Sequence, residues 1–132
     1  MVKVLLDHNM PPVIAHALNE LIKAEGHEAF ALRDRFPTNI SDVEYYRELG
    51  KDGNWIVISK DVKQVKRPVE RGAIIRSGVM VFYLKPAVQA QRITQQAATI
   101  LWQWEKMLGQ FKLSSGGLFE LPVNKGSKFR PL

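Results

Sequence analysis

Cysteine is absent from the 132 residues. That excludes a disulfide framework, a thiolate zinc site and a cysteine nucleophile, and it suits a reducing cytoplasm. Long apolar runs are missing too. Lys3 and Asp7 interrupt the opening one, so neither a signal peptide nor a membrane span is expected. The glycines form no phosphate-binding loop, and no Ser/His/Asp nucleophile arrangement is present. Histidine is scarce, and His8, His16 and His27 show no ligand spacing. No internal repeat or low-complexity tract occurs.

What remains is the composition of one soluble domain with a real core: 45% hydrophobic and 24% charged residues. The net charge of +6 is unevenly placed. Residues 1–54 hold six basic and nine acidic side chains, and residues 55–132 hold thirteen and four. An acidic half joined to a basic half suits a protein that binds cations on one side and polyanions on the other.

The order of elements decides where to look for chemistry. Val2–Leu6 is β-rich and apolar, and Pro11-Pro12 opens a helix with an apolar stripe at Val13, Ala17, Leu18, Leu21 and Ile22. A strand over His27–Leu32 and a loop over Arg33–Ile40 follow. Ser41-Asp42-Val43-Glu44 matches a capping box and starts a helix running to about Gly50. Trp55–Ser59 is a β-branched strand, Lys60–Arg67 a polar loop, and Pro68 opens a helix that Gly78 closes. Val79–Leu84 is a strand, and Pro86 begins a long helix ending near Leu108, with Ile93, Ala97, Ile100, Leu101, Trp104 and Leu108 on its apolar face. Trp102 and Trp104 are expected in the core. Residues 1–108 therefore read as the domain. Residues 109–132 read as a basic C-terminal extension, ordered only in part, with a short strand at Leu118–Leu121.

Alternation of this kind implies an α/β fold with a mostly parallel sheet, whose ligands sit at the carboxyl ends of the strands. Three acidic residues fall there: Asp7 after the first strand, Asp42 in the first turn of the helix that follows the second, and Asp61 just past the Trp55 strand. Asn9 can add an amide oxygen, and Glu44 is an alternate. Carboxylates at close range repel, and a divalent cation relieves the cost. Oxygen ligands without cysteine point to Mg²⁺ or Mn²⁺, which activates water against a phosphodiester. Lys60, Lys63, Lys66, Arg67, Arg71 and Arg76 flank or follow Asp61 and are expected to hold the phosphates of RNA. Each acid also has a purely local reading, as a helix cap or a loop former.

The stretch Leu5-Leu6-Asp7-His8-Asn9-Met10-Pro11-Pro12 resembles the opening of the PIN-like domains related to VapC toxins. Leu32–Phe36 with Ser41–Glu44 resembles their second block, Trp55–Asp61 their third, and Val79–Leu84 their next strand. The resemblance spans about residues 2–86 and, more weakly, Lys128-Phe129-Arg130. It implies a three-layer α/β/α fold and Mg²⁺- or Mn²⁺-dependent endoribonuclease action. Asp7, Asp42 and Asp61 are then the metal ligands, and Ser59 orients Asp61 or a water. It further implies the toxin of a type II toxin–antitoxin pair, a cognate antitoxin as partner, and a homodimer. One position departs from the pattern. Many such domains carry a further acid shortly after the third, where this chain has Val62 and Lys63. The alternative is thus a PIN-like RNA- or protein-binding module with weak or no catalysis. A signalling receiver domain is a poor rival: His8 stands where its paired acid belongs, and only one strand separates Asp61 from Lys85.

Overall fold

Strands β3 (Trp55–Ser59) and β4 (Met80–Leu84) are buried at every residue, as expected of strands covered by helices on both faces. In the computed structural model, which describes residues 1–132, they lie at the centre of a five-stranded sheet of order β2-β1-β3-β4-β5. The others are β1 (Lys3–Leu6), β2 (Glu28–Ala31) and β5 (Gly117–Leu121), and every pairing is parallel. The helices are α1 (Pro12–Ile22), α2 (Leu32–Arg35), α3 (Asp42–Asp52), α4 (Pro68–Ser77), α5 (Pro86–Gln89) and α6 (Ile93–Leu113). None is long and apolar enough to cross a membrane.

Alternation along the strands builds two cores. Val4, Leu6, Ile56, Ile58, Met80 and Phe82 face α1 and α6. Leu5, Val57, Val81 and Tyr83 face the opposite way, toward α3 and α4. The crossover from β1 therefore runs over one face, and that from β3 over the other. Because β1 and β3 are adjacent, the topological switch point, the usual ligand position in such sheets, falls between their carboxyl ends.

Several elements differ from the sequence expectation. The long helix is broken into α5 and α6 by residues 90–92. At the break, the Gln96 side chain donates to the carbonyls of Gln89 and Gln91 at 3.2 and 2.9 Å. The buried stripe of α6 is accordingly Gln96, Thr99, Ile100, Gln103, Trp104 and Met107, and Ile93 is exposed. Trp104 packs in the core against His27, but Trp102 is 61% exposed. On α1 the stripe is rotated: Ile14, Ala15, Leu18 and Ile22 are buried, whereas Val13 and Leu21 face solvent. Apolar residues cover more than half the circumference of that helix, opposite His16, Asn19 and Glu20, so periodicity alone could not choose which part of the arc is buried. Leu32–Arg35, expected to leave β2 as strand end and loop, forms a helical turn.

The boundary placed at Leu108 falls inside α6. Beyond it, β5 joins the sheet beside β4, and Phe129 packs on Phe82 with ring centres 5.0 Å apart. Residues 130–132 then run along the outer edge of β5. Glu120 N–H donates to the Arg130 carbonyl and Leu132 N–H to that of Leu118. This covers an edge that would otherwise offer unpaired backbone groups.

Candidate active site

Asp7 leaves β1 with its N–H still bonded to the Ile58 carbonyl at 3.0 Å, so the sheet geometry itself carries it to the switch point. It is only 3% exposed. Its Oδ1 accepts from the His8 N–H at 2.6 Å, and its Oδ2 accepts from the fully buried Ser59 hydroxyl at 2.8 Å. No cationic side chain pairs with it. Burial pushes its carboxyl above the usual range, against the pull of Ser59 and His8, and the charge of Asp42 adds to the rise.

Ser59, expected to orient Asp61 or a water, instead joins two of the acids. While donating to Asp7 it accepts from the Asp61 N–H at 3.0 Å. The hydroxyl thus holds the Asp7 side chain and the Asp61 backbone in one frame.

Asp42 is the first residue of α3, whose cap is Ser41: its Oγ accepts from the Glu44 N–H at 3.2 Å. The Asp42 Oδ2 accepts from the Gln64 amide at 2.8 Å. On its other side, Gln64 Oε1 accepts from the Tyr83 hydroxyl at 3.0 Å and the Tyr46 hydroxyl at 3.3 Å. Gln64 is fully buried, and nothing in its polar surroundings in the sequence marked it. It lies in a short 3₁₀ turn, Val62–Val65, that the sequence reading treated as open loop.

Asp61 completes the rim, with its carboxylate 3.7 Å from Arg67 Nη1. The Tyr83 hydroxyl registers all three acids. Burial raises it first, and the charges of Asp7, Asp61 and Asp42 raise it further. The three carboxylates thus lie within electrostatic reach of Tyr83 on β4. They do not close into a single cluster, however: no three acidic or histidine side chains stand close enough to hold one ion jointly. The expectation of a tight triad is corrected in this respect. Gln64 holds Asp42 and Arg67 attracts Asp61, and carboxylates repel one another in the absence of a cation. Asn9 and Glu44 are exposed.

A hydrated hard cation fits these residues. Mg²⁺ is usually held by one or two carboxylates and keeps several waters. Asp7 is a buried carboxylate without an ion-pair partner. Beside it lies a cavity of about 110 Å³, lined by Asp7, His8, Arg33 and Thr38 and by apolar Met10, Pro12, Ala31 and Leu32, with room for roughly three or four waters; Asp42 and Asp61 do not border it. The Tyr45 hydroxyl is buried without a hydrogen-bond partner and feels the charges of Asp7 and Asp42. An ordered water would satisfy it.

The basic residues divide. Lys63 and Lys66 are exposed on the turn after Asp61, and Arg67 stands between Asp61 and Glu70. Half-buried Lys60 has its ammonium pushed down by burial. Arg71 was expected to bind phosphate, but it is spent on the fold: Nη2 donates to the Leu132 carbonyl at 2.9 Å and Nη1 to that of Val65 at 3.4 Å. Arg76 lies at the far end of α4 and does not flank the rim.

The sequence model of one family, described as a PIN like domain, matches residues 2–86, from the start of β1 to the beginning of α5. No curated protein and no solved structure matches the chain.

Proposed function

The chain belongs to the PIN-like domain family, and from that premise we propose that it is a metal-dependent endoribonuclease, the toxin of a type II toxin–antitoxin pair. PIN-like domains are generally nucleases that use divalent metals. One observation carries the reading for this chain. Asp7 is a buried carboxylate at the sheet's switch point, fixed by Ser59, with Asp42 close enough to raise it and no ion-pair partner.

In this reading Asp7 and Asp42 supply the first oxygens for Mg²⁺ or Mn²⁺, and Asp61 approaches from the same rim. Such an ion polarises a phosphodiester oxygen and lowers the pKa of a bound water. Ser59 keeps one Asp7 oxygen oriented by donating to the other. Gln64 holds Asp42 at a fixed angle, as outer hydrogen bonds commonly do for metal-binding carboxylates. Lys63 and Lys66 retain the RNA backbone while water attacks phosphorus. Arg67 is drawn from Asp61 to phosphate when the acids are neutralised.

The test is cleavage of RNA by purified protein, with Mn²⁺ or Mg²⁺ and with chelator. Metal-dependent cleavage that Asp7→Asn abolishes supports the reading, and cleavage retained by Asp7→Asn sinks it. Growth arrest on expression, relieved by Asp7→Asn and by a co-expressed antitoxin, tests the toxin role.

The open arrangement of the three acids, together with Val62 and Lys63 after Asp61, favours a second reading as a binding module without catalysis. Thermal stabilisation by millimolar Mn²⁺ that Asp7→Asn removes speaks against it. No stabilisation, with RNA bound but uncut, speaks for it.

A further inference from the structure

The helical layer that supports the rim holds a second concavity. A cleft of about 350 Å³ runs between α3 and α4, from Val43 beside Asp42 to Lys51 and Ser77, with Arg47, Lys51 and Arg76 on its walls. Two glycines shape it. A Cβ on Gly50 would stand 2.8 Å from the Ser77 carbonyl, so the helices meet backbone to backbone there. A Cβ on Gly72 would stand 3.0 Å from Arg76 Nη1, so the absence of a side chain lets the guanidinium fold back along its own helix.

The charge in this cleft is unbalanced. Lys51 pairs with Glu48 at 3.4 Å, but Arg47 and Arg76 have no ion pair. The acid on α4, Glu70, lies in the first turn of that helix, away from Arg76, and is engaged with Arg67. Like charges that converge on a concave wall repel more than they do on a convex one, and a polyanion relieves them.

Position indicates which polyanion. Asp42 begins α3, the cleft starts beside it at Val43, and Lys51 lies nine residues on, so the far basic end of the cleft is ~14 Å from Asp42 along the same helix. Lys63, Lys66 and Arg67 precede α4, and Arg76 ends it. Cations therefore stand at both ends of α4, one group at the rim and Arg76 with Arg47 and Lys51 at the cleft. A single compact anion does not reach from one group to the other, whereas an extended chain of phosphates does.

We propose that the α3–α4 cleft binds backbone phosphates of the RNA strand that is cut at the rim, away from the scissile bond. This rests on the nuclease reading above. Arg47 and Arg76 grip the phosphates as guanidinium forks, Lys51 adds charge, and the close approach enforced by Gly50 keeps the two arginines on facing walls.

The test uses the full chain with Asp7→Asn, which binds without cutting, and a short fluorescein-labelled single-stranded RNA. Anisotropy titrations at several salt concentrations give affinity and its salt dependence. The added pair Arg47→Gln and Arg76→Gln is expected to weaken binding roughly tenfold and to flatten the slope of log K against log salt by about 1.4, two phosphates at about 0.7 each. The pair Arg47→Lys and Arg76→Lys is expected to keep the slope, and this settles the matter should the glutamine pair lower the melting temperature. Lys112→Gln, on α6, is the cation control. Unchanged affinity and slope in the glutamine pair, with wild-type protein cutting RNA, overturn the cleft and leave the nuclease standing. Inorganic phosphate that stabilises the protein through Arg47 and Arg76, with RNA affinity unaffected, also overturns it in favour of a free anion. If wild-type protein neither cuts nor binds RNA, the nuclease reading itself fails.

Discussion

The two faces of the sheet are built from different materials. The face under α1 and α6 is mostly aliphatic and aromatic; its buried Gln96, Thr99 and Gln103 bond to the break before α6 and to the segment after β5, and its interior is held by packing among Ile14, Leu18, Phe82, Trp104 and Phe119. The face under α3 and α4 contains Tyr45, Tyr46 and Tyr83, and the Tyr46 and Tyr83 hydroxyls donate to Gln64 beside Asp42. Apolar contacts are not directional, so the first face contributes stability without aiming any group. Hydrogen bonds are directional, and the second face uses them to set the angle of Asp42. One face holds the fold, and the other positions the chemistry.

The largest effect expected from breaking this division is on catalysis. Asp7→Asn keeps the size of the side chain but removes its charge. A bound metal supplies several kcal/mol of charge stabilisation, so RNA cleavage should fall roughly a thousandfold. The same variant should respond to pH in the metal-free protein. Because the folded state raises the Asp7 pKa, the protonated acid is favoured by folding. That contribution is complete below the ordinary carboxylate value and is lost as pH rises through the raised one. Chemical denaturation in chelator should therefore show Asp7→Asn gaining stability over wild type across that window, with a constant difference above it. A variant that is less stable than wild type at neutral pH contradicts the assignment.

Phe82→Ala strikes the other face. Phe82 is fully buried against Phe119 and Phe129, so denaturant melts should show a loss of about 3–5 kcal/mol. The extra stability conferred by saturating Mn²⁺ should be the same as in wild type. A changed metal response would erase the distinction between the two faces.

Gln64→Leu sharpens the contrast from the polar side. It strands the Tyr46 and Tyr83 hydroxyls and releases Asp42. Stability should fall by about 1–3 kcal/mol, and apparent Mn²⁺ affinity by roughly ten- to a hundredfold. Calorimetric titration checks the second value. Ser41→Ala is the mildest of these changes. It removes the cap of α3 and should cost about 1 kcal/mol, with metal affinity nearly unchanged, because Gln64 rather than the cap holds Asp42.

The strands were legible because β-branched and aromatic runs are bounded by turn residues. Trp55–Ser59 has the limits the sequence implied. Helix faces were less so. The buried glutamines of α6 look like surface residues until their carbonyl partners, remote in the chain or in the preceding break, are known. Asp7, Asp42 and Asp61 stood out because strand ends in a parallel sheet collect ligands, but their side chains do not close into one cluster. Gln64 was invisible, since an amide in a polar turn carries no periodicity. Arg71 looked free only because the carbonyl it reaches is sixty-one residues away.

Period, turn chemistry and charge are local properties, and by themselves they determined the α/β architecture, the strand positions and the acids at the strand ends. Which face each helix buries, how the chain beyond Leu108 closes the sheet, and which polar side chains become braces depend on contacts between residues far apart in the chain. Those were decided only in the tertiary structure, because a hydrogen bond or a packed ring is specified by the position of its partner in space.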